Sequence, residues 1–264
     1  MITRHVGDVE LAAVDFEFTG LDPRHGHRVV EVAVVRGARG GTPSSWSTLV
    51  DPCRSVEAGE IHGITDAMVR GAPRFAAVAP ELLERLDGAV LVAHNARWDL
   101  AFLGAELTLA AVEIPPLVVL DTLGLSRRVL PGLASHSLSS VCAHLGIPRD
   151  GAHRAEHDAR AAWTVAWTLL ERADPTGQLT LGDALALARR KDPAKARAVA
   201  LALRAAAERG EPVTIDYCGH ARPDGLFTRR SIVVRRVSHA RVHAFCQLRG
   251  EDRVFRLDRI RLVE

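Results

Sequence analysis

Apolar and polar positions alternate with period two through Leu11-Ala-Ala-Val-Asp15-Phe-Glu17-Phe, which predicts a strand over residues 9–18. Val14, Phe16 and Phe18 fall on one side of it, Asp15 and Glu17 on the other. Runs at 28–36 and 46–50 predict two more strands. Gly20, Pro23 and Gly26, then Gly37, Gly40 and Gly41, mark the turns, so the three form an antiparallel meander. Helical spacing at about 75–87 and 98–110 brackets a short apolar run at 89–93. A strand at 117–120 and helices at about 137–145 and 157–173 follow. Three strands, then alternating helices and strands, then two helices imply an α/β fold in which a mixed sheet is flanked by helices.

The pattern changes after Asp174-Pro175-Thr-Gly177, which ends the last of these helices. A charged, Ala-rich stretch at about 182–209 reads as one helical connector. Strand patterns then recur at 213–217, 231–235, 242–246 and 253–257. The expected domains are therefore 1–175, a helical linker at 176–209 and a small β-rich domain at 210–264.

At 264 residues and 47% hydrophobic content, the chain has ample core for one larger and one smaller domain. No apolar stretch reaches the ~18 residues of a membrane span, and the polar start Met1-Ile-Thr-Arg-His is unlike a secretory signal, so the expected location is the cytoplasm. Cys53, Cys142, Cys218 and Cys246 are scattered, which argues against a zinc ribbon or a disulfide framework. Net charge is only +2, yet residues 222–261 carry eleven arginines against Asp224, Glu251, Asp252 and Asp258. Such an excess favours a polyanionic partner through counterion release; a solvated basic face is the bland alternative.

The chemistry follows from where the acids fall. Asp15 and Glu17 close an apolar strand, Asp99 follows the second apolar run in His94-Asn95-Ala-Arg-Trp98-Asp99, and Asp158 opens the long helix in His153-Arg-Ala-Glu-His157-Asp158. They converge only if the strand end and two helix starts meet at the carboxyl edge of the sheet. Paired carboxylates there repel and lose hydration unless a cation holds them, and all-oxygen donors suit Mg²⁺ or Mn²⁺ rather than zinc. Two such ions ~3.5–4 Å apart would serve an in-line phosphoryl displacement. His153, with a reference pKa of about 6.5, is the candidate proton acceptor. His153 and His157 also have the spacing of a zinc pair, but no third His or Cys stands nearby, and His157 reads as an exposed helix residue.

Asp-x-Glu-x-Thr-Gly at 15–20, His-Asn-x-x-x-Asp at 94–99 and His-x-x-x-x-Asp at 153–158, with His62-Gly-Ile-Thr65 between the first two, resemble the DEDDh 3′–5′ exonucleases of ribonuclease H-like fold, proofreading subunits among them. The resemblance covers roughly 8–172. It implies that Asp15, Glu17, Asp99 and Asp158 hold two Mg²⁺ or Mn²⁺ ions and that His153 is the general base. It further implies that Thr19, Gly20 and Leu21 hold the 3′-terminal nucleotide, with His62 and Ile64 as contacts to it. Trp98 stands where the family usually has Phe and is a candidate base contact. The substrate would be nucleic acid with a free 3′ end, most readily DNA in proofreading or repair. An RNA-trimming enzyme, or a regulatory protein using the fold as a scaffold, is the alternative.

The C-terminal part, from about 198 to 264, is similar to the WYL domain, with Ala240-Arg241-Val242 in place of the namesake Trp-Tyr-Leu. That similarity implies a nucleic-acid or nucleotide-like ligand, for which Arg229, Arg230, Arg256 and Arg259 are the candidate contacts. Gln178-Leu179-Thr180-Leu181 partly resembles the short motif that grips a sliding clamp, although Gly182 stands where an aromatic is expected; a linker is the alternative.

Overall fold

A computed structural model of the chain describes residues 2–149, 153–189, 193–217, 228–238, 241–257 and 260–262, with the backbone alone for 189, 193–197 and 261. The chain divides into two compact units, Met1–Val129 with Val141–Arg189, and Leu130–Ser140 with Arg190–Glu264.

In the first unit, β1 (Glu10–Phe18), β2 (Val29–Ala38) and β3 (Ser44–Leu49) form the expected meander. β4 (Val90–Ala93) and β5 (Val119–Asp121) add parallel to β1, giving a five-stranded mixed sheet in the order β3-β2-β1-β4-β5. Two short helices, α1 (Gly59–His62) and α2 (Asp66–Val69), precede α3 (Phe75–Leu86) and α4 (Arg97–Leu109). α5 (Thr122–Val129), α6 (Leu138–Leu145), α7 (Ala155–Ala173) and α8 (Leu181–Arg189) follow.

Both faces of the sheet are covered. Val14, Phe16, Val32 and Val34 pack with Leu82 of α3 and Phe102, Leu103 and Leu107 of α4. Phe18 stacks on Phe102 with ring centroids 3.7 Å apart. The opposite face offers Ala33 and Val35 to Ala155 and Ala159 of α7, small side chains that bring this helix close to the strands. The buried stripe of α7 continues through Ala162, Val165, Ala166 and Leu169 at helical spacing, and Asp158 lies within it. Each fully buried Leu or Val contributes about 1.5–3 kcal/mol. The packing of α7 therefore holds Asp158 against the sheet.

Two local features set the edge that matters. β4 pairs with β1 only from Leu11 to Ala13, so β1 runs beyond its neighbour and leaves a free edge near Phe16. The amino end of α7 is capped from another strand, since the Ala155 N–H donates to the Glu31 carboxylate at 3.0 Å.

The expected single connector is in fact two helices, α8 and α9 (Pro193–Arg209), with Pro193 at the first helical position, where a missing N–H costs nothing. α8 belongs to the first unit and lies so near α5 that a Cβ on Gly124 would come 1.9 Å from the Ala188 carbonyl oxygen. Residues 178–181 are not a free linker. The Val6 N–H donates to Leu179 O and the Leu181 N–H to Arg4 O, both at 2.9 Å, and Leu181 is fully buried. An extended clamp-binding peptide is not available from that segment as folded.

In the second unit, β6 (Pro212–Tyr217), β7 (Thr228–Val237), β8 (Arg241–Cys246), β9 (Glu251–Arg256) and β10 (Ile260–Leu262) form an antiparallel sheet in the order β10-β6-β7-β8-β9. Val199 and Leu203 of α9 pack on Ile215, Ile232, Val234, Val242 and Phe255. The short strand β10 lacks enough alternation to be read from sequence. Among the described residues, no helix is long and apolar enough to cross a membrane.

Candidate active site

The four acids meet at the carboxyl edge of the sheet. Asp15 and Glu17 point from β1 toward α7, and Asp158 projects from the first turn of α7. One carboxylate oxygen from each of these three lies within 4.8 Å of the others. Asp99, in the first turn of α4, comes to the free edge of β1 and accepts from the Phe16 N–H. Asp99 and Asp158 are both buried.

Crowding in this place is costly for charge. Burial, followed by the charges of Asp99, Asp158 and Glu17, holds the Asp15 carboxyl well above the ordinary carboxylate range. Burial, with Asp158 and Glu31 adding to it, pushes Glu17 up to about 8. Asp99 is likewise pushed up to about 8, chiefly by burial, although hydrogen bonds from its own and the Phe16 backbone oppose the shift. Ionisation is thus disfavoured here and a bound cation would relieve it, and a compact set of carboxylate oxygens without sulfur or imidazole fits Mg²⁺ or Mn²⁺.

Arg149 and Glu31, which spacing alone does not mark, shape this centre. Arg149 forks onto Asp158, with Nε 3.0 Å and a terminal nitrogen 2.7 Å from Oδ1, and the same nitrogen 2.8 Å from Oδ2. Glu31 is the cross-strand partner of Glu17, is buried, and accepts from Arg154 at 2.6 Å. The carboxylate that raises Glu17 is therefore tied to the start of α7. Glu156 accepts from Ser47 and pairs with Arg160 at 3.5 Å, at the surface.

His153 immediately precedes the start of α7, exposed and with φ of 65°, a left-handed conformation costly for a residue with a Cβ. It is an electrostatic neighbour of His62. His62 itself is buried, with both nitrogens engaged. The Ile64 N–H donates to Nδ1 at 3.1 Å, which leaves the proton on Nε2 to be donated to Phe18 O, also 3.1 Å away. Burial lowers its pKa, consistent with a neutral ring. His62 fastens the end of β1 to the 62–64 turn. Ile64 is fully buried against Val30 and Val69. Both side chains are thus engaged within the fold beside the end of β1.

Thr19, Gly20 and Leu21 do line a cleft, of about 340 Å³, together with His25, His27, Glu57 and Ile61. Thr19 is buried. Its hydroxyl accepts from the Arg28 N–H at 3.0 Å and lies 3.2 Å from Nδ1 of His27. The His27 ring covers Gly20 so closely that a Cβ there would sit 2.3 Å from it. Leu21 is 77% exposed. Trp98 is partly exposed at the start of α4, with the Arg97 guanidinium 4.4 Å from its ring centroid. His27 escaped sequence reading because nothing in its spacing marks it; only the fold at the Thr19–Arg28 pairing brings it over Gly20.

His157 is exposed on α7, and the Nδ1 of His94 lies 2.9 Å from the Thr122 hydroxyl. Asn95 is held through its backbone, whose N–H donates to Asp121 at 3.0 Å. In the second unit, Arg229 pairs with Asp216 at 3.1 Å in solvent. Arg230 turns the other way, toward Cys246 and the Tyr217 ring. The backbone N–H of Arg256 lies 3.4 Å from the Tyr217 hydroxyl, and Arg259 lies outside the described residues.

A mixed sheet with four acids at its carboxyl edge defines the class as a ribonuclease H-like, DEDDh-type nuclease fold. The exonuclease family RNase_T matches residues 12–166, and the chain belongs to that family. It is 35% identical over 161 residues to the 3′-5′ exonuclease DinG of Bacillus subtilis (strain 168), covering 60% of this chain and 17% of that protein. It is 36% identical over 166 residues to DNA polymerase III subunit epsilon of Treponema pallidum (strain Nichols), covering 61% of this chain and 77% of the subunit. Among solved structures, exonuclease X in complex with 5′ overhanging duplex DNA is 26% identical with a TM-score of 0.53, covering 67% of this chain and 99% of that one.

Proposed function

We propose that this protein is a metal-dependent 3′–5′ exonuclease that releases nucleoside monophosphates from nucleic acid, with DNA as its preferred substrate. The observation that carries the proposal is the gathering of Asp15, Glu17 and Asp158 oxygens within 4.8 Å, in surroundings that raise Glu17 to about 8. A fold gains nothing from such repulsion unless cations relieve it. Two divalent ions held by Asp15, Glu17, Asp99 and Asp158 would supply Lewis-acid stabilisation to the attacking and leaving oxygens of the phosphodiester.

The remaining work belongs to the chain. His153, exposed just ahead of α7, takes the proton of the attacking water. The Thr19–Leu21 cleft receives the terminal nucleotide, Leu21 lies against its base, and Trp98 borders the base from α4. His62 acts at one remove by fixing Phe18 and hence the cleft wall. Membership of the exonuclease family and the likeness to a polymerase subunit and to a DNA-bound exonuclease support the DNA preference. The second unit, taken as a WYL-like module, guides the strand through Arg229, Arg256 and Arg259.

Digestion of end-labelled single-stranded DNA, duplex DNA and RNA with Mg²⁺, Mn²⁺ or EDTA tests this reading. Mononucleotide release from the 3′ end of DNA, abolished by EDTA, is expected. Faster loss of RNA would replace the substrate, and absence of cleavage by folded, metal-supplied protein would overturn the activity.

A further inference from the structure

Arg149 stands in an unusual place for a cation. Its side chain is 12% exposed and that of its partner Asp158 is 10% exposed, so the pair is largely removed from water. The guanidinium gives two hydrogen bonds to Oδ1 and one to Oδ2, filling three of the four lone-pair positions of the carboxylate. Yet Asp158 also contributes an oxygen to the cluster with Asp15 and Glu17. One permanent cation is thus seated against the acids that a divalent ion would need.

We propose that Arg149 is the built-in counter-cation of this centre: it holds Asp158 while metal is absent, competes with metal for that carboxylate, and so sets the metal affinity of the site. The inference rests on the reading of the four acids as a metal centre. Removing one partner of a buried ion pair leaves a buried charge uncompensated, so the pair stabilises the metal-free fold. In the metal-loaded state the same positive charge opposes the incoming ion.

Calorimetric titration with Mn²⁺, together with thermal melts in EDTA and in Mn²⁺, separates the possibilities for wild type, Arg149→Met and Arg149→Lys. Arg149→Met is expected to bind Mn²⁺ roughly tenfold more tightly, the scale of removing one unit charge from a partly screened site. It is also expected to melt lower in EDTA and to gain more from Mn²⁺ than wild type does. Arg149→Lys, which keeps the charge without the fork, falls between. Weaker Mn²⁺ binding by Arg149→Met would make Arg149 a residue that orients the ligand, and unchanged binding would make the pair a bystander. Either result overturns the inference while leaving the metal centre standing. A folded wild type that takes up no Mn²⁺ overturns both.

Discussion

The chain builds a five-stranded sheet twice and treats charge on it in opposite ways. In the C-terminal unit α9 covers one face, and charged side chains stand in solvent as ordinary pairs, Arg229 with Asp216 and Arg235 with Asp252 at 3.9 Å. In the N-terminal unit helices cover both faces, and carboxylates occupy strand positions that packing alone would give to alanine. Alternation along a strand decides which face a side chain takes, but what covers that face decides whether a charge there is tolerable. The burden at the end of β1 marks it as functional, whereas the Arg229–Asp216 and Arg235–Asp252 pairs of the second sheet lie at its surface.

The largest effect that sharpens the contrast comes from Asp15→Asn. Cleavage should fall about a thousandfold or more, while the metal-free protein melts higher at pH 8, because a strained acid has been removed. Loss of stability instead would mean that the cluster is a structural network. Next comes pH. Glu17 and Asp99 titrate near 8 when folded but near about 4 in an unfolded chain. The folded state therefore holds extra protons between these values. Stability of the metal-free protein should fall as pH rises from about 4 to about 8 and level off above, and Mn²⁺ should flatten that slope. Melts that rise over this window in EDTA would contradict the account.

His62→Ala should cost about 1–3 kcal/mol by leaving the Ile64 N–H and Phe18 carbonyl unpaired, and should lower activity through the displaced end of β1. Urea unfolding measures the first and steady-state kinetics the second. Gly20→Ala should push the His27 ring aside and raise KM a few-fold with little change in stability, and Gly20→Ala with His27→Ala should restore it. An unrepaired double variant would show that Gly20 is needed for backbone access instead. Arg229→Ala, at an exposed pair, should leave the melting temperature unchanged; a clear shift would mean that the second sheet is not as permissive as its exposure implies.

Much of this was legible before the fold. Asp15 and Glu17 announced themselves because alternation has only one reading in an apolar strand, and Asp99 and Asp158 because each opens a helix after a turn. Arg149, Glu31 and His27 were not legible. Each acts through a pairing that sequence spacing does not encode: Glu31 through its register with Glu17, Arg149 through a reach across nine residues onto α7, His27 through the turn after β1. Residues 178–181 looked like a free segment because their partners lie at the other end of the chain, at 4–6. Pro193, where α9 begins, marks a helix start in the sequence, but the even Ala-rich pattern on either side hid it.

Calorimetric titration of wild type and Asp15→Asn with Mn²⁺ at pH 7, in two buffers of different ionisation enthalpy, tests most directly whether the acids at the end of β1 exist to hold cations. Saturable uptake by the wild type accompanied by proton release, and lost in the variant, is the predicted result. Equal uptake by both proteins, or uptake with no protons released, would contradict it.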